Sequence, residues 1–366
     1  MKHVCSGLLV VFVLALLLPV SARALAGSAS VREGNCRPHG ICGLRNPEDV
    51  VRLGDSKFAI ASSLARAPGS TSHLYLVDME SGTAVPLVPV MGSKARLGDA
   101  RCPPPEGFGE LVTHGLAARS DGRGHGRLYV VNHGKRQSVE IFKWSTDDAG
   151  VRLEWQGCVT VPPGVSANAV APLPDGLALT SFGSANDPDM VDLMAGRPSG
   201  FVVIWTRGNG WTRLKGSELP ADNGIEASPD GKLLYVNAWG SGALWVIARN
   251  GDRRPLRIPL GDFHPDNVHW QGQGVLLIAG QVGAASGILA CGPRGICPMP
   301  SMLVTVDVAR RRVVERLQIP PTADFGAAST AIRYKGHYWL SSFLGDRMVE
   351  VPASVGTSGV SSADGH

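Results

Sequence analysis

One pattern repeats along most of the chain: a short apolar strand, a turn, a second strand rich in Leu, Tyr, Val and Trp, and one or two further strands. It is clearest in residues 223–260, where Pro229-Asp230-Gly231-Lys232 carries a strong turn signal between two apolar runs. Units of this kind begin at Glu48, His114, Asn168, Asn223, Asp266 and Ser329. The chain is therefore built from one structural unit used six times.

Strand clusters repeated every forty to sixty residues or so predict an all-β fold, a six-bladed β-propeller whose blades are four-stranded sheets around a central tunnel. With 46 Gly and 26 Pro, the chain has too many turn residues for a helical bundle. A pair of β-sandwiches also contains many short strands, but the repeated unit start favours the propeller. The last unit is short of strands, so we expect residues 28–35 to complete its sheet. A single short helical turn is expected at residues 190–194.

The N-terminus has the features of a secretory signal peptide. Lys2 precedes an apolar run over residues 8–20, and small residues with an A-x-A-like cleavage site follow. The sequence thus predicts a signal peptide at 1–26, a single propeller domain at 27–366, and an exported (periplasmic or secreted) protein with no stable membrane span. An uncleaved anchor is the alternative, although the run is short for a spanning helix.

Cysteine usage agrees with export. Cleavage removes Cys5 and leaves six cysteines, an even number that permits disulfides. Cys36–Cys42 and Cys291–Cys297 each enclose five residues in Gly- and Pro-containing loops, and pairing them leaves Cys102–Cys158. Free thiols or another of the 15 pairings are the alternatives. The spacings do not match the C-x₂-C pattern of zinc sites.

Composition excludes some functions. Hydrophobic residues make up 44% and charged residues 18%, which supports a packed core rather than disorder. The formal charge of +4 falls by two when Lys2 and Arg23 leave with the signal peptide. There is no basic run beyond residues 310–312 and no aromatic–basic interleaving, so we expect no nucleic-acid partner. Nothing in the sequence indicates the oligomeric state.

The unit starts carry the residues of greatest chemical interest. The first strand of each blade lines the central tunnel of a propeller, so residues at the same end of these strands converge on the axis. Calcium takes six to eight oxygen ligands, and a set without thiolate or imidazole suits a hard cation. Any one of these residues alone would suit a turn or a loop. Their recurrence predicts a central calcium site formed by Glu48, Asn168, Asn223, Asp266 and Asn267.

Several short motifs resemble the paraoxonase (arylesterase/lactonase) family. The resemblance spans residues 46–351, and the H-G pair with V-V-N-H and the tandem D-N are its most specific parts. The motifs are THGL at 113–116, LYVVNH at 128–133, SVEIFK at 138–143, NAVA at 168–171, DNGI at 222–225 with SPDGK at 228–232, DNV at 266–268, ASTA at 328–331 and YKG at 334–336.

The resemblance implies a six-bladed propeller with calcium in its tunnel, the same five residues as ligands, and a dyad of His114 and His133. It also implies a second, structural calcium at Asp49 and the backbone carbonyl of Leu116. The other acid expected for that ion is Ala169 in this chain, which is a departure from the family pattern. Animal members join their termini by a disulfide, and no cysteine lies near this C-terminus.

These features predict a calcium-dependent hydrolase of small lactones or aryl esters, with His114 as general base and His133 as its proton partner. A non-catalytic, calcium-stabilised binding module and a sugar-lactone hydrolase of the gluconolactonase/regucalcin type are the alternatives. No G-x-S-x-G elbow or H-E-x-x-H helix is present.

Two further features concern the tunnel mouth. His264 would lie there or would be a plain loop residue. Residues 181–196, with Phe182, Met190 and Met194, would form an apolar wall or lid, or a surface insertion.

Overall fold

The computed structural model describes residue 36 and residues 40–65, 72–92, 97–148, 150–184, 190–272, 274–291 and 295–353. The predicted signal peptide at residues 1–26 lies outside the described residues. The chain divides into two units, residues 1–32 and residues 33–366. The first unit lies outside the described residues, and the second contains all of them.

The described residues form a six-bladed β-propeller, as predicted. The first strand, β1 (Gly40–Cys42), belongs to the last blade. Blade 1 consists of β2 (Val50–Arg52), β3 (Phe58–Ala61), β4 (Leu74–Asp78) and β5 (Thr83–Leu87). Short strands β6 (Val90–Met91) and β7 (Leu97–Gly98) join blade 2, which consists of β8 (Thr113–Ser120), β9 (His125–Asn132), β10 (Ser138–Asp147) and β11 (Gly150–Thr160). Blade 3 consists of β12 (Val165–Leu173), β13 (Gly176–Ser184), β14 (Phe201–Thr206) and β15 (Gly210–Arg213).

The remaining blades repeat this order. Blade 4 consists of β16 (Asp222–Ala227), β17 (Leu233–Ala238), β18 (Ala243–Ala248) and β19 (Leu256–Pro259). Blade 5 consists of β20 (His264–Gly272), β21 (Val275–Gln281), β22 (Ser301–Asp307) and β23 (Arg312–Ile319). Blade 6 consists of β24 (Ala328–Tyr334), β25 (His337–Ser342), β26 (Arg347–Pro352) and β1. The described helical segments are α1 (Val191–Met194), in the turn expected there, α2 (Ala285–Leu289), and a 3₁₀ turn at Trp239–Ser241.

An N-terminal strand completes the sixth blade, the role that the sequence analysis gave to residues 28–35. The closing strand is β1, which pairs antiparallel with β26 so that Gly40 lies opposite Val349. Residues 28–35 lie outside the described part of the chain. Burial holds β1 in place, because Ile41 is fully buried in a cluster with Trp339 and Met348.

The apolar runs of the second strands are buried on both faces. In β9, Leu128 and Val130 pack toward blade 1, while Tyr129 and Val131 pack toward blade 3. Successive side chains of a strand point to opposite faces. A strand between two neighbouring blades therefore needs apolar residues at every position, which is why the sequence shows runs instead of alternation.

A β-bulge recurs at one position on the inner strand of blades 2 to 6. A bulge places extra residues opposite the partner strand and redirects their side chains. The shifts fall between Thr113 and Leu116, Ala167 and Val170, Asp222 and Ile225, Pro265 and Val268, and Ala328 and Thr330. The residues inside the bulges are His114-Gly115, Asn168-Ala169, Asn223-Gly224, Asp266-Asn267 and Ser329. Five of the six unit starts that the sequence singled out, all except Glu48, are thus bulges on the inner strands.

All three predicted disulfides are present: Cys36–Cys42, Cys102–Cys158 and Cys291–Cys297, with Cα–Cα distances of 5.8, 5.7 and 5.1 Å. Disulfides persist in oxidising compartments, which agrees with the predicted export. Among the described residues, no helix has the length and apolar character needed to cross a membrane.

Candidate active site

The five predicted calcium ligands lie buried at one end of the inner strands. Asn168, Asn223, Asp266 and Asn267 are bulge residues, and Glu48 lies two residues before the first inner strand, which begins at Val50. The bulges occupy equivalent positions on the inner strands of neighbouring blades. Their side chains therefore turn toward the tunnel at one level. We call these five residues the ligand ring.

Contacts between blades close the ligand ring where the two ends of the chain meet. Asn267 donates from Nδ2 to Glu48 Oε1 at 2.7 Å. Ser329 donates from Oγ to the backbone carbonyl of Glu48 at 2.5 Å. Blades 5, 6 and 1 are therefore joined at the level of the ring.

Asp266 is held by a chain of donors from neighbouring strands. Gln281 donates from Nε2 to Asp266 Oδ2 at 2.7 Å, and its Oε1 accepts from Trp239 Nε1 at 2.8 Å. Asn237 donates from Nδ2 to the Asp266 carbonyl at 2.7 Å. The carboxylate is thus fixed in orientation, and the sequence analysis did not foresee Gln281 or Trp239 in this role.

Two bulge glycines allow the inner strands to approach one another. A Cβ on Gly115 would lie 2.4 Å from the Asn168 carbonyl oxygen, and a Cβ on Gly224 would lie 2.5 Å from that of Asp266. Real Cβ atoms do not reach such distances to backbone. The glycines of the H-G and N-G pairs are therefore required by the narrowness of the tunnel.

The ring has unused oxygen atoms that fit a hard cation. Glu48 Oε2, Asn168 Oδ1 and Asn223 Oδ1 are buried and have no hydrogen-bond partner among the described residues. An unpaired buried polar atom costs about 1–3 kcal/mol, so three in one place indicate a missing partner. Among those residues, no group of three or more His, Cys, Asp or Glu side chains forms a metal site. The ring depends on asparagine oxygens, which calcium accepts and softer metals do not prefer.

The two ring carboxylates repel each other when no cation is bound. Burial, with the charges of Asp266 and Asp49, raises the pKa of Glu48 well above its ordinary value. Burial and the Asp49 charge likewise raise the pKa of Asp266 to about 7, against the opposing hydrogen bond from Gln281. A bound cation would remove this cost by compensating both charges.

The two predicted catalytic histidines form a pair beside the ring. His114 Nδ1 lies 2.9 Å from His133 Nε2, and His114 Nε2 lies 3.7 Å from Glu48 Oε2. Burial lowers the pKa of His133, against a hydrogen bond to Gln137 that raises it. His133 therefore favours the neutral imidazole near pH 7.

Gln137 orients the pair, and the sequence analysis missed it. Its Oε1 lies 2.7 Å from His133 Nδ1, and an amide oxygen can only accept. His133 Nδ1 therefore carries the proton, and its Nε2 accepts from His114 Nδ1. His114 Nε2 is then an acceptor nitrogen, and it lies 3.7 Å from Glu48 Oε2 of the ligand ring. The position of Gln137, four residues after His133, is the feature of the sequence that could have identified it.

The loop that carries Gln137 is anchored at both ends. Asn132 donates from Nδ2 to the Arg136 carbonyl at 3.0 Å and accepts from the Gly134 amide at 3.0 Å. Arg136 binds the buried Glu140 through two nitrogens, at 3.0 and 3.1 Å. The loop therefore holds Gln137, and through it the His133 ring, in a fixed orientation, as a positioned acid–base group requires.

Asp49 and Leu116, predicted for a second calcium, do meet, but through other atoms. The Leu116 amide, not its carbonyl, contacts Asp49 by donating to Oδ2 at 2.7 Å. Asp49 Oδ1 accepts from the Val50 amide at 2.8 Å and lies 2.7 Å from His269 Nε2. Both oxygens of Asp49 are used by N–H donors, so the described residues do not fit a second calcium.

An apolar cluster lies on the same end of the propeller as the ring. Leu193 of α1 and Trp239 are buried in it, and Phe182 packs edge-on against Trp239 at 6.0 Å. Met190 and Met194 are exposed. The stretch 181–196 therefore contributes Phe182 and Leu193 to this wall, whereas the two methionines face solvent.

His264 also lies on this wall. It stacks on Trp239 at 4.1 Å, and its ring nitrogens lie 2.9 Å from the Trp239 carbonyl and 3.0 Å from the Gly283 carbonyl. It thus joins blades 4 and 5 beside the tunnel mouth.

Comparison with known proteins shows the fold and no more. No family model matches the sequence, and no curated protein is significantly similar to it. A protein of unknown function from Bacteroides thetaiotaomicron is 10% identical with a TM-score of 0.50, over 86% of this chain and 70% of that one. A putative gluconolactonase is 13% identical (TM-score 0.48, 85% and 89% covered), and a luciferin-regenerating enzyme is 11% identical (TM-score 0.47, 87% and 92% covered). Function must therefore be inferred from the site.

Proposed function

We propose that this chain is a calcium-dependent hydrolase of lactones or aryl esters. One observation supports this most strongly: a hydrogen-bonded pair of imidazoles lies directly beside a ring of buried oxygens that lack partners. A non-catalytic binding module stabilised by calcium would require the ligand ring but would not require the pair of His114 and His133.

The ligand ring would hold the ion through Glu48, Asn168, Asn223, Asp266 and Asn267. Calcium in that position supplies a Lewis acid for the carbonyl oxygen of the substrate. The protein contributes fixed orientation, since Gln281 holds Asp266 and Asn267 holds Glu48 before the ion arrives. Oxygens held in place in this way need little reorganisation on binding.

The histidine pair would activate water. His114 Nε2 takes a proton from a water whose oxygen attacks the carbonyl carbon, and His133 Nε2 stabilises the charged ring by accepting from His114 Nδ1. The carbon–oxygen bond to the leaving alkoxide or phenoxide then breaks. The proton on His114 passes to that oxygen, which leaves the pair in its starting state.

Substrate assays with and without calcium test the proposal. The mature protein would be assayed on an aryl ester, aliphatic lactones, an acyl-homoserine lactone and a sugar lactone, each with calcium and with a chelator. We expect hydrolysis of the first three classes that chelator abolishes and calcium restores. Preference for the sugar lactone would favour the gluconolactonase-type alternative. No hydrolysis of any substrate by calcium-loaded protein would leave the binding module as the better explanation.

A further inference from the structure

We propose that the tunnel contains one calcium position, the ligand ring, and that the side chain of His269 takes the place of a second ion at Asp49. The inference extends the proposed calcium site and does not depend on hydrolysis. Its basis is a row of four buried or half-buried side chains that crosses the tunnel below the ring. The row consists of Asp49, His269, Glu226 and Arg119, which come from blades 1, 5, 4 and 2.

Acids and bases alternate along this row. His269 Nε2 lies 2.7 Å from Asp49 Oδ1, and its Nδ1 lies 3.8 Å from Glu226 Oε1. Arg119 donates from Nη2 to Glu226 Oε2 at 2.8 Å. Buried carboxylates need a partner of opposite charge or a set of donors. The row supplies both from the protein, so neither Asp49 nor Glu226 requires a metal.

The ligand ring and the row that contains Asp49 and Glu226 differ in how many of their side-chain oxygens accept hydrogen bonds. Three ring residues have a buried side-chain oxygen without a hydrogen bond, whereas no oxygen of Asp49 or Glu226 is in that condition among the described residues. The lone pairs of Asp49 point at the amides of Val50 and Leu116 and at His269. A calcium ion there would first have to displace these donors.

The neighbouring position supports the same conclusion. Ala169, in the blade 3 bulge, packs in an apolar cluster with Ala171 and Ala178 and offers no side-chain oxygen. A calcium ion requires six to eight oxygens. Because the oxygens of Asp49 already accept hydrogen bonds and residue 169 is alanine, six oxygens are not available here. The imidazole of His269, with its two nitrogens, fits instead between the carboxylates of Asp49 and Glu226.

The number of bound calcium ions tests this inference. Native mass spectrometry and titration calorimetry would count ions in the wild type, Ala169→Asp, Ala169→Asp/His269→Asn, and each of these with Asp266→Ala. We expect one ion in the wild type and in Ala169→Asp, where His269 still covers Asp49. The double variant should bind two ions, and Asp266→Ala should remove one from each protein.

Several results would overturn the inference. A wild type with two ions, or a folded Asp266→Ala variant that keeps an ion, would show a second site despite His269 and leave the proposed hydrolase intact. A soluble, folded double variant that still binds one ion would remove the role given to His269. A wild type that binds no calcium would overturn the ring and this inference together. The wild-type count requires no variant to fold.

Discussion

Asn267 donates a hydrogen bond to Glu48 at 2.7 Å, although 219 residues separate them in the chain. The bond joins the fifth blade to the segment before the first, across the seam where the propeller closes. Both residues belong to the ligand ring. Closure of the fold and assembly of the site are therefore one event, and anything that opens the ring of blades also separates the ligands.

Substitution of the histidine pair should separate catalysis from folding. His114→Gln is expected to keep the fold and bound calcium but lower kcat about 10²–10⁴-fold, because it removes the proposed base. His133→Gln should cost less, since His133 acts through its neighbour. The measurement is a pH–rate profile on an aryl ester and a lactone, with exposed His125→Gln as control.

The same profile carries a pH prediction. Burial lowers the pKa of His133, so His133 Nε2 remains able to accept from His114 Nδ1 at a lower pH than a free imidazole would allow. Wild-type activity should rise with pH along an acid limb centred below about 6.5. Near-full activity of His114→Gln on both substrates, together with loss in Asp266→Ala, would mean that the metal site alone performs the chemistry.

Gln137→Met should disturb the orientation of the pair without removing either histidine. Without the acceptor at Nδ1, His133 can adopt the other tautomer, which reverses the hydrogen bond to His114. We expect kcat to fall about tenfold with little change in KM, and the ¹⁵N chemical shifts of His133 to report mixed tautomers. Gln318→Met, on an exposed position of β23, is the matched control. Unchanged ¹⁵N shifts would refute the positioning role.

Metal-free protein should be more stable in mild acid than in mild base. The folded-state pKa of Asp266 is about 7, above its unfolded value, so its contribution to stability is present at low pH and is lost as pH rises through 7. Between pH 5.5 and 8 this one group should cost about 2 kcal/mol. Thermal melting with chelator would show this loss, and calcium should restore stability at pH 8. In the metal-free protein, Asp266→Asn should reduce the dependence of the melting temperature on pH. If the metal-free wild type melts no lower at pH 8 than at pH 5.5, the buried Asp266 carboxylate does not destabilise the fold as proposed.

Gly224→Ala should be far more harmful than an ordinary glycine replacement. The added Cβ would lie 2.5 Å from the Asp266 carbonyl, which is backbone and cannot turn away. We expect a loss of about 3 kcal/mol or failure to fold, with weaker calcium binding in any folded protein. Gly107→Ala is the control, since a Cβ there meets nothing within 4 Å. Equal melting temperatures for the two variants would contradict the close approach of the inner strands.

The disulfides should contribute unequally to stability. The cysteines of Cys102–Cys158 are separated by 56 positions and those of Cys291–Cys297 by 6. In the chain-entropy model these separations give about 4 and about 2 kcal/mol. Denaturant unfolding of the two double Cys→Ala variants should therefore rank Cys102–Cys158 as the more costly loss. The reverse order would indicate that packing around the tunnel mouth outweighs loop closure.

The sequence was sufficient for the fold class, the repeated unit and the residues at the unit starts. Apolar runs, turn signals and a fixed period are local properties, and strands buried between two blades show them directly. The cysteine pairings also followed, because two of them are local and the third is what remains. The strand β1 was not predicted, since a three-residue strand leaves almost no pattern and Ile41 becomes significant only when Trp339 and Met348 surround it.

Only the tertiary structure decided how the unit starts become a site. The recurrent bulge that turns Asn168, Asn223 and Asp266 toward the tunnel depends on pairing with a second strand, and one sequence does not show register. Gln137, Gln281 and His269 act through contacts with residues from 4 to 220 positions away. Hydrogen bonds and charge pairs depend on distances of about 3 Å. Such distances are set by the packing of blades around an axis, whereas the order of residues along the chain determines only which blade each side chain belongs to.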